Sequence, residues 1–483
     1  MKRFAAVGAL IAAVLLLVLT VRAGRRAPPA AASSAAPAIA LDSIAVAQRL
    51  AAAIQIPTIS DDRPIEQRSA PFDRLHSLLA QLYPLVHGRL ELEKIGGYSL
   101  LYTWRGSDST ARPILLMGHQ DVVPVAAGSE SSWQQPPFSG AIVAGEVWGR
   151  GAIDDKQHVI AILEAAEHLL RQNFTPQRTI YFVFGHDEEL SGMSGAGAVA
   201  ATLRARGVRL EYVLDEGGAI GEAILPGVER ATALVKTAEK GYLSLELSVR
   251  GRGGHSSTPP RPTPIGVLSR ALTALEANPF PARLTGARDL LVATSSEQPF
   301  IRRLILRNLW LFGPLVKAQL ATTPSTDALL RTTIAPTMLE GSPKDNMLPV
   351  TARAVVNFRI LPGQSSTDVI AHVGRAIDDQ RVQLRTLVVS EPPPPASADT
   401  RSFVEIAHII QRIAPDAIVV PYMLTATTDS RHFSPLTPNI YGFSTARGGA
   451  ELLQRAHGTN ERISVSDLAT AVRFYMQLLR APD

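Results

Sequence analysis

The chain has 483 residues, of which 46% are hydrophobic and 19% are charged. This composition is ordinary for a globular protein, and the length predicts two or more hydrophobic cores. The net charge is only +5, and the 48 lysines and arginines form no long run in the folded part, which argues against a nucleic-acid-binding surface. Because there is no cysteine, disulfides, thiolate metal sites and a cysteine nucleophile are excluded, and any metal ion must be held by histidine and carboxylate.

The N-terminal segment 1–39 differs from the rest of the chain. Lys2 and Arg3 precede an uncharged apolar run, 4–21, whose length lies between a long signal-peptide core and a short membrane anchor. Ala, Pro and Ser dominate 27–40, which predicts a flexible linker. We therefore expect the remaining chain to be exported to the periplasm or the extracellular space, with 1–39 either cleaved as a signal peptide or retained as a membrane anchor.

Short apolar strands alternate with helices in the first half of the folded chain. Two helices, at 41–56 and 72–84, come first. The predicted elements that follow are strand 112–118, helix 157–172, strand 179–184, helix 194–206 and strand 210–214. This alternation predicts an α/β domain with a mostly parallel central sheet.

The pattern changes at Gly241, where the next nine residues alternate between apolar and polar, as in a half-buried strand. The predicted elements of this region are strand 242–250, helix 265–275, strands 333–339 and 352–361, helix 367–379 and strand 382–389. Their βαββαβ order predicts an inserted ferredoxin-like α+β lid domain. The expected division is a first catalytic part at 40–239, a lid or dimerisation-type domain at 240–391 and a second catalytic part at 392–483.

One stretch of the insertion, 299–320, is apolar but carries three arginines and a lysine. It is too short and too charged to span a membrane. We expect either a buried pair of helices or an amphipathic surface element, and a lining for an acyl pocket is a further interpretation of the same residues.

Potential metal ligands follow four of the predicted elements in the first half of the chain. They lie at His119, Asp154, Glu188–Glu189 and Asp215. Each has a structural explanation when taken alone, since an aspartate can cap a helix and an acidic run can be a solvated surface. Ligands bind at the carboxyl ends of parallel strands, so four such ends within about a hundred residues indicate one shared crevice.

Six motifs extend this pattern over nearly the whole chain after about residue 40. They are His119-x-Asp121, Asp154-Asp155-Lys156, Asp187-Glu188-Glu189, Asp215-Glu216-Gly217, Gly253-Gly254-His255-Ser256-Ser257 and His457-Gly458-Thr459-Asn460-Glu461. In this order they resemble the M20 family of co-catalytic metallopeptidases and aminoacylases, and this resemblance implies that the α/β domain is of the zinc-peptidase kind. Segments 307–312 and 329–333 are most similar to carboxypeptidase S and to the secreted enzymes that make and hydrolyse N-fatty-acyl amino acids.

The resemblance implies two divalent ions, zinc by preference, and a division of labour among the ligands. His119 and Asp215 would bind one ion, Glu189 and His457 the other, and Asp154 would bridge them. The same resemblance makes Glu188 the general base and gives Asp121 the task of orienting His119. Asp155 would contact the ligand residues without binding an ion itself, or it would cap the following helix.

The resemblance also implies a set of substrate-binding residues. His255, Asn346 and Arg359 of the inserted domain would hold the scissile oxygen or the substrate carboxylate, in many relatives from the second subunit of a homodimer. Thr428 would lie in the turn that shapes the carboxylate pocket. The implied reaction is hydrolysis of the amide bond beside a C-terminal amino-acid carboxylate, in a small peptide or an N-acyl amino acid.

Two alternatives belong to other protein classes. Gly195, Gly197 and Ala200 match the G-x-G-x-x-A fingerprint, with Asp215 at the spacing of a ribose-binding acid, which would indicate a Rossmann-type NAD-dependent oxidoreductase. Glu188 and Glu189 would repel a pyrophosphate at that turn. The second alternative is an inactive binding protein of the same fold, which would have no need of Glu188.

Overall fold

A computed structural model describes residues 14, 17–24, 40–61, 63–224, 227–449 and 451–481. Most of the predicted signal peptide or anchor and its linker, 1–39, lies outside these residues. The helices are α1 Ser43–Ile54, α2 Ile65–Leu82, α3 Pro84–Arg89, α4 Lys156–Arg171, α5 Ala196–Ala205, α6 Pro264–Ala277, α7 Arg288–Thr294, α8 Phe300–Arg307, α9 Leu309–Leu320, α10 Pro324–Asp327, α11 Ser366–Ile377, α12 Arg401–Ile413, α13 Leu452–Arg455 and α14 Val465–Leu479.

The predicted strands occur in the predicted order, and the structure has further strands before, between and after them. They are β1 Glu91–Ile95, β2 Ser99–Trp104, β3 Ile114–His119, β4 Ile142–Val143, β5 Glu146–Trp148, β6 Ile180–Gly185, β7 Val213–Asp215, β8 Ala219–Gly221, β9 Thr232–Glu239, β10 Gly241–Arg250, β11 Gly254–His255, β12 Thr333–Glu340, β13 Met347–Leu348, β14 Thr351–Ile360, β15 Gln383–Ser390, β16 Ile418–Leu424, β17 Ile440–Gly442, β18 Arg447–Gly448 and β19 Arg462–Ser464.

The larger sheet has ten strands in the order β1-β2-β6-β3-β7-β17-β9-β8-β18, with β16 paired to β9. Its centre is parallel, because β3 lies between β6 and β7 and runs in their direction. Helices cover both faces: Leu116 of β3 packs in one hydrophobic cluster with α1, α4 and α14, and Leu115 packs in another with α5. Burial on both faces explains why the central strands are apolar throughout rather than alternating.

A second sheet is formed entirely by residues between Gly241 and Ser390. It is antiparallel with the order β12-β14-β10-β15. Helices α6 and α11 pack together, and residues of both join the strands in a separate hydrophobic cluster. This strand order is that of a ferredoxin-like fold, so the predicted α/β architecture with an inserted α+β lid is confirmed.

One part of the strand-end prediction is wrong. Asp154 does not follow a strand of the central sheet, since β5 ends at Trp148 in a separate three-stranded sheet, β19-β5-β4. A turn of the chain carries Asp154 from there to the start of α4. Three of the four ligand positions therefore belong to β3, β6 and β7, and the fourth is brought to them by the helix that crosses between two of these strands.

The apolar stretch 299–320 forms α8 and α9 on the surface of the protein. No residue of α8 is buried, and in α9 only Gly313 and Val316 are. An N-terminal helical stretch, 17–24, lies against them through a hydrogen bond from Asn308 Nδ2 to the Leu19 carbonyl, 3.3 Å. Among the described residues, no helix is long and apolar enough to cross a membrane.

Candidate active site

His119 stands at the end of β3, beside the end of β6. The parallel register pairs His119 with Gly185, after which the chain turns into a short 3-10 helix, Glu188–Leu190. Because parallel neighbours end at the same edge, the imidazole and the two glutamates meet there. Ligand atoms of His119, Glu188 and Glu189 lie within 4.8 Å of one another, close enough to share an ion.

Asp154 lies between two histidines that are far apart in sequence. Its Oδ1 atom is 2.9 Å from Nε2 of His119, and its Oδ2 atom is 3.0 Å from Nε2 of His457. His457 Nε2 is also 3.2 Å from the Glu189 carboxylate. One carboxylate thus faces two separate groups of donors, which is the arrangement that a bridging ligand of two ions requires.

Asp215 and Glu216 differ in where their carboxylates point. Glu216 Oε1 lies 3.7 Å from His119 Nε2, and His119, Asp154 and Glu216 form a possible three-ligand group. The Asp215 carboxylate is not part of such a group; it is buried and accepts the backbone N–H of Ser430 at 3.0 Å. Glu216 was not singled out from the sequence, although it is the second residue of the same acidic pair.

Asp121 connects the imidazole to the glutamate turn. Its carboxylate is fully buried, lies 3.3 Å from His119 Nδ1 and accepts the backbone N–H groups of Glu188 and Glu189 at 3.2 and 3.1 Å. Ser60 Oγ donates to it at 2.6 Å. One side chain therefore fixes both the ring of His119 and the start of the 3-10 turn, which agrees with the orienting role predicted for it.

Asp155 occupies the N-cap position of α4 but makes no capping hydrogen bond. Its carboxylate accepts the backbone N–H of His119 at 3.1 Å and contacts the His158 ring on the other side. It therefore supports β3 at the ligand position, as one of the two predicted roles requires.

The electrostatics of the site favour a bound cation. Burial, with the neighbouring carboxylates, raises the pKa values of Glu188 and Glu216 well above the ordinary value, while His119 opposes the shift. Hydrogen bonds that the His457 ring donates to Asp154 and Glu189 raise the pKa of His457 to about 10, against the effect of burial. Crowded carboxylates in a low-dielectric setting hold positive charge strongly, and the mixed imidazole and carboxylate donors suit zinc.

A buried ion pair that the sequence did not reveal fixes two ligand segments. Arg150 Nη1 lies 2.6 Å from Glu461 Oε2, and both side chains are almost fully enclosed. Glu461 Oε1 accepts the backbone N–H groups of Gly151, Ile153 and Asp154 at 3.0, 2.8 and 3.0 Å. Arg150 Nη2 donates to the carbonyl of His457 at 3.1 Å. The pair therefore joins the Asp154 turn to the His457 loop.

The residues predicted for substrate binding fall in three places. Arg359 lies over the Tyr242 ring, 4.7 Å from its centroid. Burial lowers the pKa of its guanidinium, and Glu188 across the domain boundary is one of the charges that oppose this shift. His255 and Asn346 are exposed neighbours in the lid, where the Ser256 N–H donates to the Asn346 carbonyl at 3.1 Å. Among the described residues, neither side chain contacts a candidate metal ligand.

Thr428, the remaining substrate-binding candidate, is buried beside the site. Its hydroxyl donates to the Glu239 carboxylate at 2.8 Å, and the ammonium of Lys236 donates to the same hydroxyl. The described contacts of this side chain are therefore with protein groups.

The dinucleotide alternative is contradicted by the turn before α5. The carboxylate of Asp187 accepts the N–H groups of Ser194 and Gly195, both at 2.9 Å. These are the amides that a pyrophosphate would need, and a side chain built on Gly195 would meet Asp187 rather than open space. The glycines accommodate a neighbouring side chain instead of a phosphate.

The fold and the site define the class of metal-dependent hydrolases with an inserted domain, and comparison with known proteins agrees. The sequence pattern of Peptidase family M20/M25/M40 matches residues 115–481. The chain belongs to this family. It is thus an enzyme of the M20 type, a hydrolase of the metallopeptidase class, and the predicted resemblance is confirmed.

Individual relatives cover most of the chain. It is 41% identical over 445 residues to "Probable carboxypeptidase S-like 2" of Dictyostelium discoideum, covering 91% of this chain and 85% of the relative. It is 38% identical over 449 residues to "N-fatty-acyl-amino acid synthase/hydrolase PM20D1" of Mus musculus, covering 92% and 88%. The M20 family metallo-carboxypeptidase Sso-CP2 of Sulfolobus solfataricus shares the fold, with a TM-score of 0.64, 18% identity and coverage of 91% and 99%.

Proposed function

We propose that the protein uses two divalent ions to hydrolyse the amide bond beside a C-terminal amino-acid carboxylate. The observation that carries this proposal is the position of Asp154, whose two oxygens lie 2.9 and 3.0 Å from the imidazoles of His119 and His457. A carboxylate between two imidazoles, with further carboxylates on each side, is the donor set of a two-metal hydrolase rather than of a single structural ion.

The geometry supports one change to the ligand assignment that the family resemblance implied. We assign His119, Asp154 and Glu216 to one ion and Asp154, Glu189 and His457 to the other, because these two converging groups share Asp154 as a bridge, whereas the third group, His119 with Glu188 and Glu189, does not contain it. Asp215 then serves to hold the Ser430 backbone. When bound, the two ions make the attacking water acidic and polarise the scissile carbonyl.

Removing the metal should abolish activity reversibly. Dialysis against a chelator is expected to leave the fold largely intact, since α1, α4 and α14 pack in a hydrophobic cluster with the central sheet. Elemental analysis of active enzyme should give two ions per chain, and added zinc should restore turnover. Full activity with only trace metal would contradict the proposal. The choice of Glu216 over Asp215 as a ligand predicts that Glu216→Gln reduces the metal content more than Asp215→Asn does.

Glu188 is the side chain that moves the proton. It lies next to a proposed ligand yet is not needed to complete either ligand group, so its carboxylate is free to accept a proton from the attacking water. It would then deliver that proton to the departing amine nitrogen, which completes cleavage of the C–N bond.

Arg359 is the group best placed to recognise the substrate carboxylate. Its guanidinium is held over Tyr242 in the lid, and the negative charge of Glu188 in the catalytic domain opposes the lowering of its pKa by burial. A planar guanidinium binds a carboxylate through two parallel hydrogen bonds, so it would place the neighbouring amide at the metal ligands. This arrangement supports a substrate that ends in a free carboxylate.

The acyl side of the substrate is open to a direct test, and we expect a long fatty chain to be preferred. Relatives named as N-fatty-acyl-amino acid synthases/hydrolases support this choice, and relatives named as carboxypeptidase S support short peptides. Each buried methylene contributes about 0.8 kcal/mol, so about four added carbons should raise kcat/KM by roughly a hundredfold before a plateau.

The substrates to compare are N-acetyl-, N-octanoyl- and N-oleoyl-phenylalanine beside Gly-Leu and Cbz-Gly-Leu. Among the described residues, no contact joins α8 or α9 to the proposed ligands. Whether this stretch lines the acyl pocket is tested by the double change Leu309→Asp plus Phe312→Asp, which should lower kcat/KM for the long-chain substrates only if it does. A flat chain-length series with the dipeptides preferred would assign the enzyme to peptide substrates. Because a hydrolase catalyses both directions, the better substrates should also form from fatty acid and amino acid at high concentration.

His255 is expected to act from a second copy of the chain. It is exposed on the lid, 254–255 pairs with 347–348, and the adjoining edge strand β12 exposes Met338 and Leu339, which would suit a subunit contact. An imidazole that donates to the developing oxyanion contributes about 2.7 to 4 kcal/mol, so His255→Ala should lower kcat far more than it raises KM.

Mixing His255→Ala subunits with Glu188→Gln subunits tests this arrangement. Recovered activity would show that the two side chains come from different copies of a homodimer. If His255→Ala keeps full activity, the histidine has only a structural role in its loop.

Export of the chain with cleavage or retention of 1–39 is proposed on the sequence alone, and N-terminal sequencing of the mature protein tests it.

A further inference from the structure

The second helix of the surface pair, α9, turns a largely apolar face to solvent. Trp310, Leu311 and Leu315 are 58%, 40% and 60% exposed, Pro314 and Ala318 are exposed between and beyond them, and Gln319 at the end of the helix is the polar residue of this face. Positions three and four residues apart lie on one side of a helix. A soluble surface rarely carries such a contiguous patch unless something binds it.

Two neighbouring elements extend this surface. At the start of α8, Phe300 and Ile301 are 48% and 69% exposed. The N-terminal helical stretch 17–24 exposes Leu17, Val18 and Val21 along one side, and it is held to the α8–α9 junction by the bond from Asn308 Nδ2 to the Leu19 carbonyl, 3.3 Å. We call these residues of α8, α9 and 17–24 the apolar platform.

The segments that form the apolar platform carry charges of one sign. Residues 298–326 contain Arg302, Arg303, Arg307 and Lys317 and no acidic residue, and the only charged residue of 17–24 is Arg22. Arg302 and Arg22 are exposed, whereas the two acidic residues that flank 298–326, Glu297 and Asp327, are paired with Arg230 and Arg331. Apolar side chains with a tryptophan, interspersed with basic residues, are the composition of helices that lie in a membrane interface.

We propose that the apolar platform docks on the headgroup region of an anionic lipid bilayer, with α9 lying in the interface plane. A second copy of the chain is a poorer occupant, because a two-fold contact would place the same basic segments against each other. The proposal uses no residue of the active site, so it stands independently of the proposed reaction.

Trp310 provides a built-in probe of this docking. The chain has four tryptophans, and the other three, Trp104, Trp133 and Trp148, are only 6%, 8% and 7% exposed. Full-length protein mixed with vesicles of phosphatidylcholine and phosphatidylglycerol should show a blue shift of the emission. Brominated acyl chains should quench it, and Trp310→Phe should remove both signals while vesicle sedimentation persists.

Sedimentation of variants measures the strength of docking. Replacing Leu311 and Leu315 with serine should weaken partition by about tenfold or more for each side chain that is lost from the apolar layer. Replacing Arg302 with glutamate should weaken it about fivefold or more on phosphatidylglycerol vesicles, and added salt should do the same. The matched control is Ile44→Ser with Val404→Ser, which removes apolar residues of the catalytic domain that are 53% and 43% exposed and should leave partition unchanged.

Three results would overturn the proposal. Sedimentation with vesicles but without any change in Trp310 emission would assign membrane binding to the N-terminal segment alone. A shift that depends on protein concentration and not on vesicles would assign the platform to self-association. Equal partition of the Leu311→Ser, Leu315→Ser variant and the control, with unchanged thermal unfolding for both, would show that the α9 face does not touch lipid.

Discussion

Replacing Glu188 with glutamine is expected to lower kcat by about a hundredfold to ten-thousandfold, since the amide cannot accept the proton that general-base catalysis moves. The effect should reach the upper end because the same carboxylate would also protonate the leaving amine. The backbone N–H of Glu188 donates to Asp121 at 3.2 Å, so the turn should keep its shape without the charge. Steady-state kinetics and metal analysis on the same preparation give the measurement.

The adjacent glutamate supplies the matched control for this substitution. Glu189 lies 3.2 Å from His457 Nε2 and belongs to a proposed ligand group, so Glu189→Gln should lose metal as well as activity. Glu188→Gln should retain two ions and lose only turnover. If Glu188→Gln keeps near-normal kcat, another group is the base; if it loses metal as Glu189→Gln does, Glu188 is a ligand.

Replacing Glu461 with alanine should weaken both the fold and the metal site, although this side chain touches neither substrate nor ion. Breaking a buried ion pair by removing one partner costs about 3–5 kcal/mol, because the remaining charge is buried without compensation. Here the lost carboxylate also accepts the N–H groups of Gly151, Ile153 and Asp154. Since groups that support ligands typically change metal affinity by about 10–100-fold, we expect a loss of that size.

A double variant separates the two effects. Arg150→Met with Glu461→Leu removes both charges, which should recover much of the stability but not the metal affinity, because the side-chain hydrogen bonds between the Asp154 turn and the His457 loop are then lost. The surface control is Arg105→Gln, which breaks an exposed pair with Glu91, 2.6 Å, and should cost at most about 1 kcal/mol. Thermal unfolding and zinc titration give the two readouts. Unchanged zinc affinity in Glu461→Ala would remove Glu461 from the positioning role.

Local sequence determined much of this architecture. The apolar run before His186 forms β6, which is buried on both faces as this pattern predicts. The alternating residues after Gly241 form β10 as predicted, although packing buries some of its polar positions as well as the apolar ones. The meeting of His119 with Glu188 and Glu189 followed from a general rule, since parallel neighbours end at a common edge. The sequence could therefore place most of the ligands together without any distance information.

Tertiary structure decided the features that depend on register and on segments distant in the chain. Asp215 ends β7 and Glu216 follows it, and successive side chains point to opposite sides of a strand, so one faces Ser430 and the other faces His119. Arg150 and Glu461 are separated by 311 positions and meet only because β19 pairs with β5. The exposure of the apolar platform likewise depends on tertiary packing, because no other described element covers the outer face of α9. Sequence periodicity reports which side of an element is apolar, whereas the contacts of the folded chain determine what that side faces.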